Sequence, residues 1–425
     1  MKEYQKMTKE ELSNAKQALL AEYKKYQNMN LNLNMKRGKP CSEQLDMCMP
    51  MLDVLNSNSD CKDKYGVDCR NYGELLGIKE ARELFGNVMG IAADETIVVG
   101  SSSLTFMYDC VARAMLTGVL GSEKPWCKYD KIKFLCPVPG YDRHFRICEF
   151  FGIEMININM TDDGLDMDEV RKYAENDETV KGIWCVPKNS NPSGTTYSNK
   201  CVKELASMKT AAKDFRIFWD NAYIVHTIYN DPELLNILDE CKKAGNPNRV
   251  YMFGSTSKIT MAGAGVGFFG ASKENVDFTE KQIGVESISW DKMNMLRHVR
   301  YLKDVNGIKD IMNKQAEILR PKFDAVLETL DKNLSGKGAG TWIKPDGGYF
   351  ITYIGNNGTA KRIHQLCEEA GVALTDAGAT HPYHKDPDDK YLRIAPSYPK
   401  LDEIKTAMEV LSVAAQIATI ESLEK

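Results

Sequence analysis

From about Ala81 to Gly270 the chain alternates short β-rich runs with amphipathic segments, and few folds accommodate that pattern. The runs are residues 131–136, 153–159, 182–186, 216–219, 249–253 and 266–270, with helical candidates between most of them. Strands separated by helices are not joined as hairpins, because each return needs a crossover, so the spacing predicts a mostly parallel sheet covered by helices. An open sheet of this kind binds its ligand just beyond the carboxyl ends of its strands. Polar residues and glycines gather at those positions, and the site is expected along that edge.

The flanking segments read differently. Thr8 and Glu11 have capping-box spacing and open a helix to about residue 26, followed by an irregular arm through Pro40. Beyond residue 304 the periodicity is helical to 330. Residues 338–354 read as a hairpin around Pro345-Asp346-Gly347-Gly348, residues 359–370 as a helix stopped by Gly371, and residues 401–422 as an amphipathic helix covering a second sheet. The expected division is an N-terminal helix and arm (1–45) packing with the small domain, a large domain (46–303) and a smaller α+β domain (304–425). With 55 Lys plus Arg against 59 Asp plus Glu, the net charge of −4 gives no reason to expect nucleic acid or an anionic membrane as partner. Twelve cysteines form no CxxC pair and sit in apolar contexts, no metal site is expected, and no run approaches the roughly 18 to 20 apolar residues of a membrane span. Reduced thiols and a charged amino terminus without a signal-like stretch point to a cytoplasmic protein.

Chemistry concentrates around Ser255-Thr256-Ser257-Lys258, which follows an apolar strand and precedes Gly263-Ala264-Gly265-Val266-Gly267. Alone, such a lysine is ordinarily a solvated surface residue. Upstream, however, Asn191-Pro192-Ser193-Gly194 and Asp220-Asn221-Ala222-Tyr223 each follow a strand end. In this order and spacing the motifs resemble those of fold-type I pyridoxal-phosphate aminotransferases. Gly100-Ser101-Ser102-Ser103, Pro139-Gly140-Tyr141, Tyr72 with Gly77 and Arg82, and Arg393-Ile394-Ala395-Pro396 extend the resemblance over roughly residues 30 to 400.

The resemblance implies a mostly parallel seven-stranded sheet in the large domain, a homodimer with shared active sites, and pyridoxal 5'-phosphate as cofactor. Lys258 would hold it as a Schiff base and, once displaced, move a proton between substrate and cofactor. Asp220 would keep the ring nitrogen protonated. Asn191 and Tyr223 would bond the phenolic oxygen, and Tyr141 would stack on the ring. Ser101, Ser102, Ser103 and Ser255 would hold the phosphate at a helix start, with Tyr72 reaching in from a second subunit. Many relatives add an arginine against the phosphate, but here that slot holds Gly265.

Arg393 would grip the substrate α-carboxylate through paired hydrogen bonds, with Asn191 and Gly38 as further contacts. Arg37-Gly38-Lys39-Pro40, Tyr141-Asp142-Arg143-His144-Phe145 and Asp291-Lys292 with Leu296-Arg297-His298 look like the bacterial aspartate aminotransferase subgroup labelled MocR-like. MocR-type regulators carry a DNA-binding domain ahead of this fold, whereas here one helix and an arm precede the core, so an enzyme is expected. The implied reaction is amino-group exchange between L-aspartate and 2-oxoglutarate by a ping-pong route through pyridoxamine phosphate. A dicarboxylic substrate needs a second cation, for which Arg37, Lys39, Lys292 and Arg297 are candidates, Lys292 being supplied, like Tyr72, across the subunit interface. Other amino-acid specificity, β-elimination, or a ligand-sensing protein without turnover are the alternatives such a site leaves open.

Overall fold

The computed structural model describes residues 2–424. In chain order the strands are β1 Leu33–Asn34, β2 Thr96–Val99, β3 Lys133–Val138, β4 Glu154–Thr161, β5 Gly164–Leu165, β6 Val180–Cys185, β7 Arg216–Asp220, β8 Val250–Ser255, β9 Gly267–Gly270, β10 Gly340–Trp342, β11 Ile351–Gly355, β12 Val372–Ala373 and β13 Tyr391–Ile394. The large sheet has the order β2-β9-β8-β7-β6-β3-β4-β5. Seven strands form its body, and two-residue β5 adds an eighth by folding back on β4. Pairings from β8 through β4 are parallel, and β9 runs against both its neighbours.

Because β9 alone is reversed within the body, the carboxyl ends of β2, β8, β7, β6 and β3 open on one edge. There β9 begins. Residues alternate between two apolar faces: Leu135, Ile183, Ile217 and Phe268 pack into one core, and their neighbours Phe134, Trp184, Phe218 and Phe269 into the other. Both faces are covered, as a parallel sheet requires. Each large side chain so buried contributes about 2 kcal/mol.

A third core belongs to the carboxyl-terminal region. Strands β10, β11 and β13 form an antiparallel sheet, with Arg393 on β13 opposite Thr352 on β11. The helix Val305–Leu334 packs against the helix Leu401–Leu423. The latter is buried on nearly all sides from Ile404 to Ile420, rather than amphipathic, because the amino-terminal helix Lys9–Gln27 covers the side expected to face water. That amino-terminal helix begins at the expected capping box, with Thr8 Oγ1 accepting from the Glu11 amide and Glu11 Oε2 from the Thr8 amide. The arm after it pairs β1 with β12 and so delivers residues 36–38 to the edge of the large domain. All twelve cysteines are unpaired, ten of them buried. Among the described residues no helix is long and apolar enough to cross a membrane, and no His, Cys, Asp and Glu cluster could hold a metal ion.

Candidate active site

The edge where the parallel strands end gathers the chemistry. Lys258 lies three residues past β8, its ammonium 4.9 Å from the centre of the Tyr223 ring. Burial pushes its pKa below the usual lysine range, and the Asp220 carboxylate opposes that shift only in part. An amine that sheds its proton more readily than a surface lysine is what proton abstraction at carbon requires.

Asp220 closes β7 and is 2% exposed. Its Oδ2 lies 3.1 Å from His144 Nε2, while Oδ1 has no hydrogen-bond partner. His144 stacks on Trp184 with ring centres 4.4 Å apart, and Tyr141 meets it edge-on at 5.0 Å. A buried carboxylate with one oxygen fixed by an imidazole and the other unpaired is poised to receive an N–H from a ligand. The hydroxyls of Tyr141 and Tyr223 are both pushed up, first by burial and then by nearby anionic groups including Asp220. Burial, reinforced by the Lys258 charge, pushes His226 down to about 3, so this imidazole beside Tyr223 is neutral.

Asn191 sits in the loop after β6. Its Oδ1 accepts from Arg393 Nη1 at 3.3 Å, and the same guanidinium nitrogen lies 3.0 Å from Asp142 Oδ1. Arg393 Nε is buried without a partner, and the guanidinium lies 4.8 Å over the Phe350 ring. Phe350 in turn rests against Gly38, where an added Cβ would come within 2.5 Å of its Cζ. Glycine at 38 is therefore what lets the aromatic ring lie under Arg393. Lys36, Arg37, Gly38, Tyr141, Asp142, Arg143, Phe350, His384 and Arg393 line a cleft of about 450 Å³, whose cations outnumber the two carboxylates, Asp142 and Asp376.

At the phosphate end, Ser101 is exposed, Ser102 caps the helix Ser103–Thr117 by accepting from the Thr105 amide, and Ser103 begins that helix. Ser255 donates to Ser257 Oγ at 3.0 Å. Gly265 lies against this group: a Cβ there would stand 2.9 Å from the Ser101 carbonyl oxygen and 3.3 Å from Ser257 Oγ. The departure from the arginine-bearing pattern is thus built into close backbone packing. The cradle consists of a helix start, five serines and a glycine, which suits an anion held by amides and hydroxyls.

These residues fit pyridoxal phosphate. Unpaired Asp220 Oδ1 suits a ring N–H, and the serine cradle suits a phosphate. Lys258, Asp220, Tyr223, Asn191, Tyr141, the serines, Arg393, Arg37 and Gly38 are therefore brought together in one chain. Four others are not. Tyr72 is 75% exposed on an outer loop. Lys39 turns away, its ammonium 3.8 Å from the centre of the Tyr398 ring. Lys292, expected like Tyr72 across the subunit interface, is buried and donates to the Gly73 carbonyl at 3.0 Å and to Ser289 Oγ, on the loop that carries Tyr72. Arg297 lies on the Lys292 helix outside the cleft lining. Sequence reasoning assigned no role to His144, Asp142, Phe350, His226 or His298. Asp142, His144 and His298 were signalled only by membership of the same motif strings, and Phe350 and His226 lie outside them.

Comparison with known proteins gives a consistent picture. The aspartate amino-transferase family model matches residues 7–425. An aspartate aminotransferase from Corynebacterium glutamicum is 45% identical over 393 residues, 92% of this chain and 90% of that one. The crystal structure of an aspartate transaminase from the same species superposes with a TM-score of 0.96 at 42% identity, covering 99% of each chain. The α-aminoadipate aminotransferase LysN of Thermus thermophilus, at 18% identity and a TM-score of 0.74 over 95% of each chain, shares the fold.

Proposed function

This chain belongs to the aspartate amino-transferase family, and from that membership we propose that it moves the amino group of L-aspartate to 2-oxoglutarate with pyridoxal 5'-phosphate held at Lys258. The family uses this cofactor, and the activity class is aminotransferase. The observation that carries the specificity is the cleft in which Arg393 is joined by Arg37, Lys36, Arg143 and His384. One guanidinium serves an α-carboxylate, and the remaining cations serve a second carboxylate, which a monocarboxylic amino acid would leave unpaired.

Bound there, the cofactor supplies an electrophilic carbon for the substrate amine and a protonated ring that delocalises the electron pair left at the α-carbon. The protein's residues do the rest. Asp220 Oδ1, unpaired and buried, would accept from a ring nitrogen and keep it protonated, while His144 holds the other carboxylate oxygen in place. Asn191 and Tyr223 orient the ring's oxygen substituent. Tyr141 would cover a ring face. Arg393 would fix the substrate α-carboxylate, and the Lys258 amine, freed when the substrate amine takes its place, would carry the α-carbon proton to the cofactor carbon.

We assign the protein to a homodimer, with the exposed Tyr72 completing the partner's phosphate cradle, and to the cytoplasm, which the unpaired thiols support. The test is a survey of amino donors with 2-oxoglutarate and added cofactor, following glutamate formation. L-Aspartate is expected to exceed L-alanine and L-phenylalanine in kcat/KM by at least about tenfold, the worth of one charge-assisted hydrogen bond to a solvent-accessible cation. A preference for an aromatic or aliphatic donor would refute the dicarboxylate reading.

A further inference from the structure

Lys258 is carried on a loop that is fastened from one side by the helix Lys292–Leu302. Thr256 and Thr260 bracket the lysine, and their hydroxyls lie 3.1 and 2.9 Å from His298 Nε2. The imidazole is fully buried, and its Nδ1 lies 2.8 Å from the Asn294 carbonyl oxygen one turn earlier. A carbonyl only accepts, so Nδ1 carries the ring proton and Nε2 is left as an acceptor. Thr256 Oγ1 already receives the Val266 amide at 2.9 Å, which leaves its own proton for Nε2. The Thr260 hydroxyl reaches both Nε2 and the Thr256 carbonyl oxygen. From the same turn, the Asn294 side chain donates to the carbonyls of Ala264 and Gly265, at 3.1 Å each.

One helix turn therefore holds the loop before the lysine, after it, and at the glycine that lies against Ser101. A leucine at 298 would pack this core without burying two polar nitrogens, a cost that only the hydrogen bonds offset. What the imidazole adds is position. We propose that His298 is a positioning residue for the reaction: through Thr256 and Thr260 it sets where Lys258 stands relative to Asp220 and Tyr223. This rests on the reading of Lys258 as the residue that holds the cofactor. His298 touches neither substrate nor cofactor.

The experiment uses the full-length enzyme loaded with pyridoxal phosphate and compares wild type with His298→Leu, His298→Gln and Thr260→Val. Glutamine keeps an acceptor near the place of Nε2, leucine keeps only bulk, and the threonine change removes one partner from the loop side. The readouts are the visible absorption of Lys258-bound cofactor with the midpoint of its pH titration, kcat and KM for the amino donor, and the melting temperature. His298→Leu is expected to lose about tenfold to a hundredfold in kcat, as misplacement of a reacting group by an ångström does, with KM changed less than about threefold. Its titration midpoint should move, His298→Gln should restore most of both, and Thr260→Val should shift both in the same direction by less.

A His298→Leu enzyme that melts earlier but keeps the wild-type kcat and titration would reduce His298 to a packing residue. If that variant does not fold, Thr260→Val decides, and wild-type values for it overturn the proposal. Failure of the underlying reading looks different: wild type itself would show no lysine-bound absorption.

Discussion

At Arg393 an internal carboxylate stands where the proposed reading puts the substrate carboxylate. Asp142 Oδ1 lies 3.0 Å from Arg393 Nη1, on a guanidinium that is 8% exposed. Substrate must displace it, so Asp142→Asn should lower KM for aspartate several-fold, about the worth of one charge-assisted bond, with kcat little changed. Steady-state kinetics decide this, and a raised KM would show that Asp142 assists binding instead. Arg393→Lys, by contrast, loses the planar fork and should cost about a hundredfold in kcat/KM for both substrates. Lys258, Asp220, Asn191, Tyr223 and Arg393 were legible in the sequence because each stands just past a strand end, or within one, in a string whose order and spacing are distinctive. His144 and His298 were not, since a lone histidine in a helix has no pattern marking it as the partner of a distant carboxylate or threonine. Lys292 stands beside Tyr72, the other residue expected across the subunit interface: its ammonium donates to the Gly73 carbonyl, a contact between distant segments that no spacing in the sequence marks.

Among the elements, the arm and the strands make a similar contrast. The parallel runs were readable from apolar content and spacing, as was the turn at Pro345–Gly348, where the Gly348 amide donates to the His226 carbonyl. Two-residue β1, β5 and β12 were not, because periodicity needs more residues than they contain and because the β1–β12 pairing joins Leu33 to Val372. The helix that follows β13 looked amphipathic because the chain that buries its outer side lies about 390 residues away in sequence, from Lys9 to Gln27. The arm's role in the site yields a prediction. Gly38→Ala places a methyl group against Phe350 and pushes the ring toward Arg393, so KM should rise about tenfold while the melting temperature falls by only a few degrees, the effect of roughly 1–2 kcal/mol of overpacking. An unchanged KM would mean that Phe350 yields without disturbing the arginine.

For the molecule as a whole, the buried histidines predict an acid limit. Burial pushes His298 down to about 4, His226 to about 3, and His381 in the same direction. Above the ordinary histidine value of about 6.5 these rings are neutral in folded and unfolded chains alike, and the folded state has its full stability. Below it the unfolded chain binds protons that the folded chain refuses, so stability drains as pH falls from about 6.5 toward 4. Melting temperatures across that window should fall steadily, and His298→Gln should flatten part of the slope; a slope unaltered by the variant would assign the acid sensitivity to other groups. Whether Lys258 holds the cofactor of a dicarboxylate aminotransferase is tested most directly by the absorption spectrum. Wild-type protein with pyridoxal phosphate should show a visible band that L-aspartate removes and 2-oxoglutarate restores, while Lys258→Ala shows neither the band nor its cycling. A band indifferent to aspartate would contradict the substrate assignment, and a band of wild-type position in Lys258→Ala would contradict the role of the lysine itself.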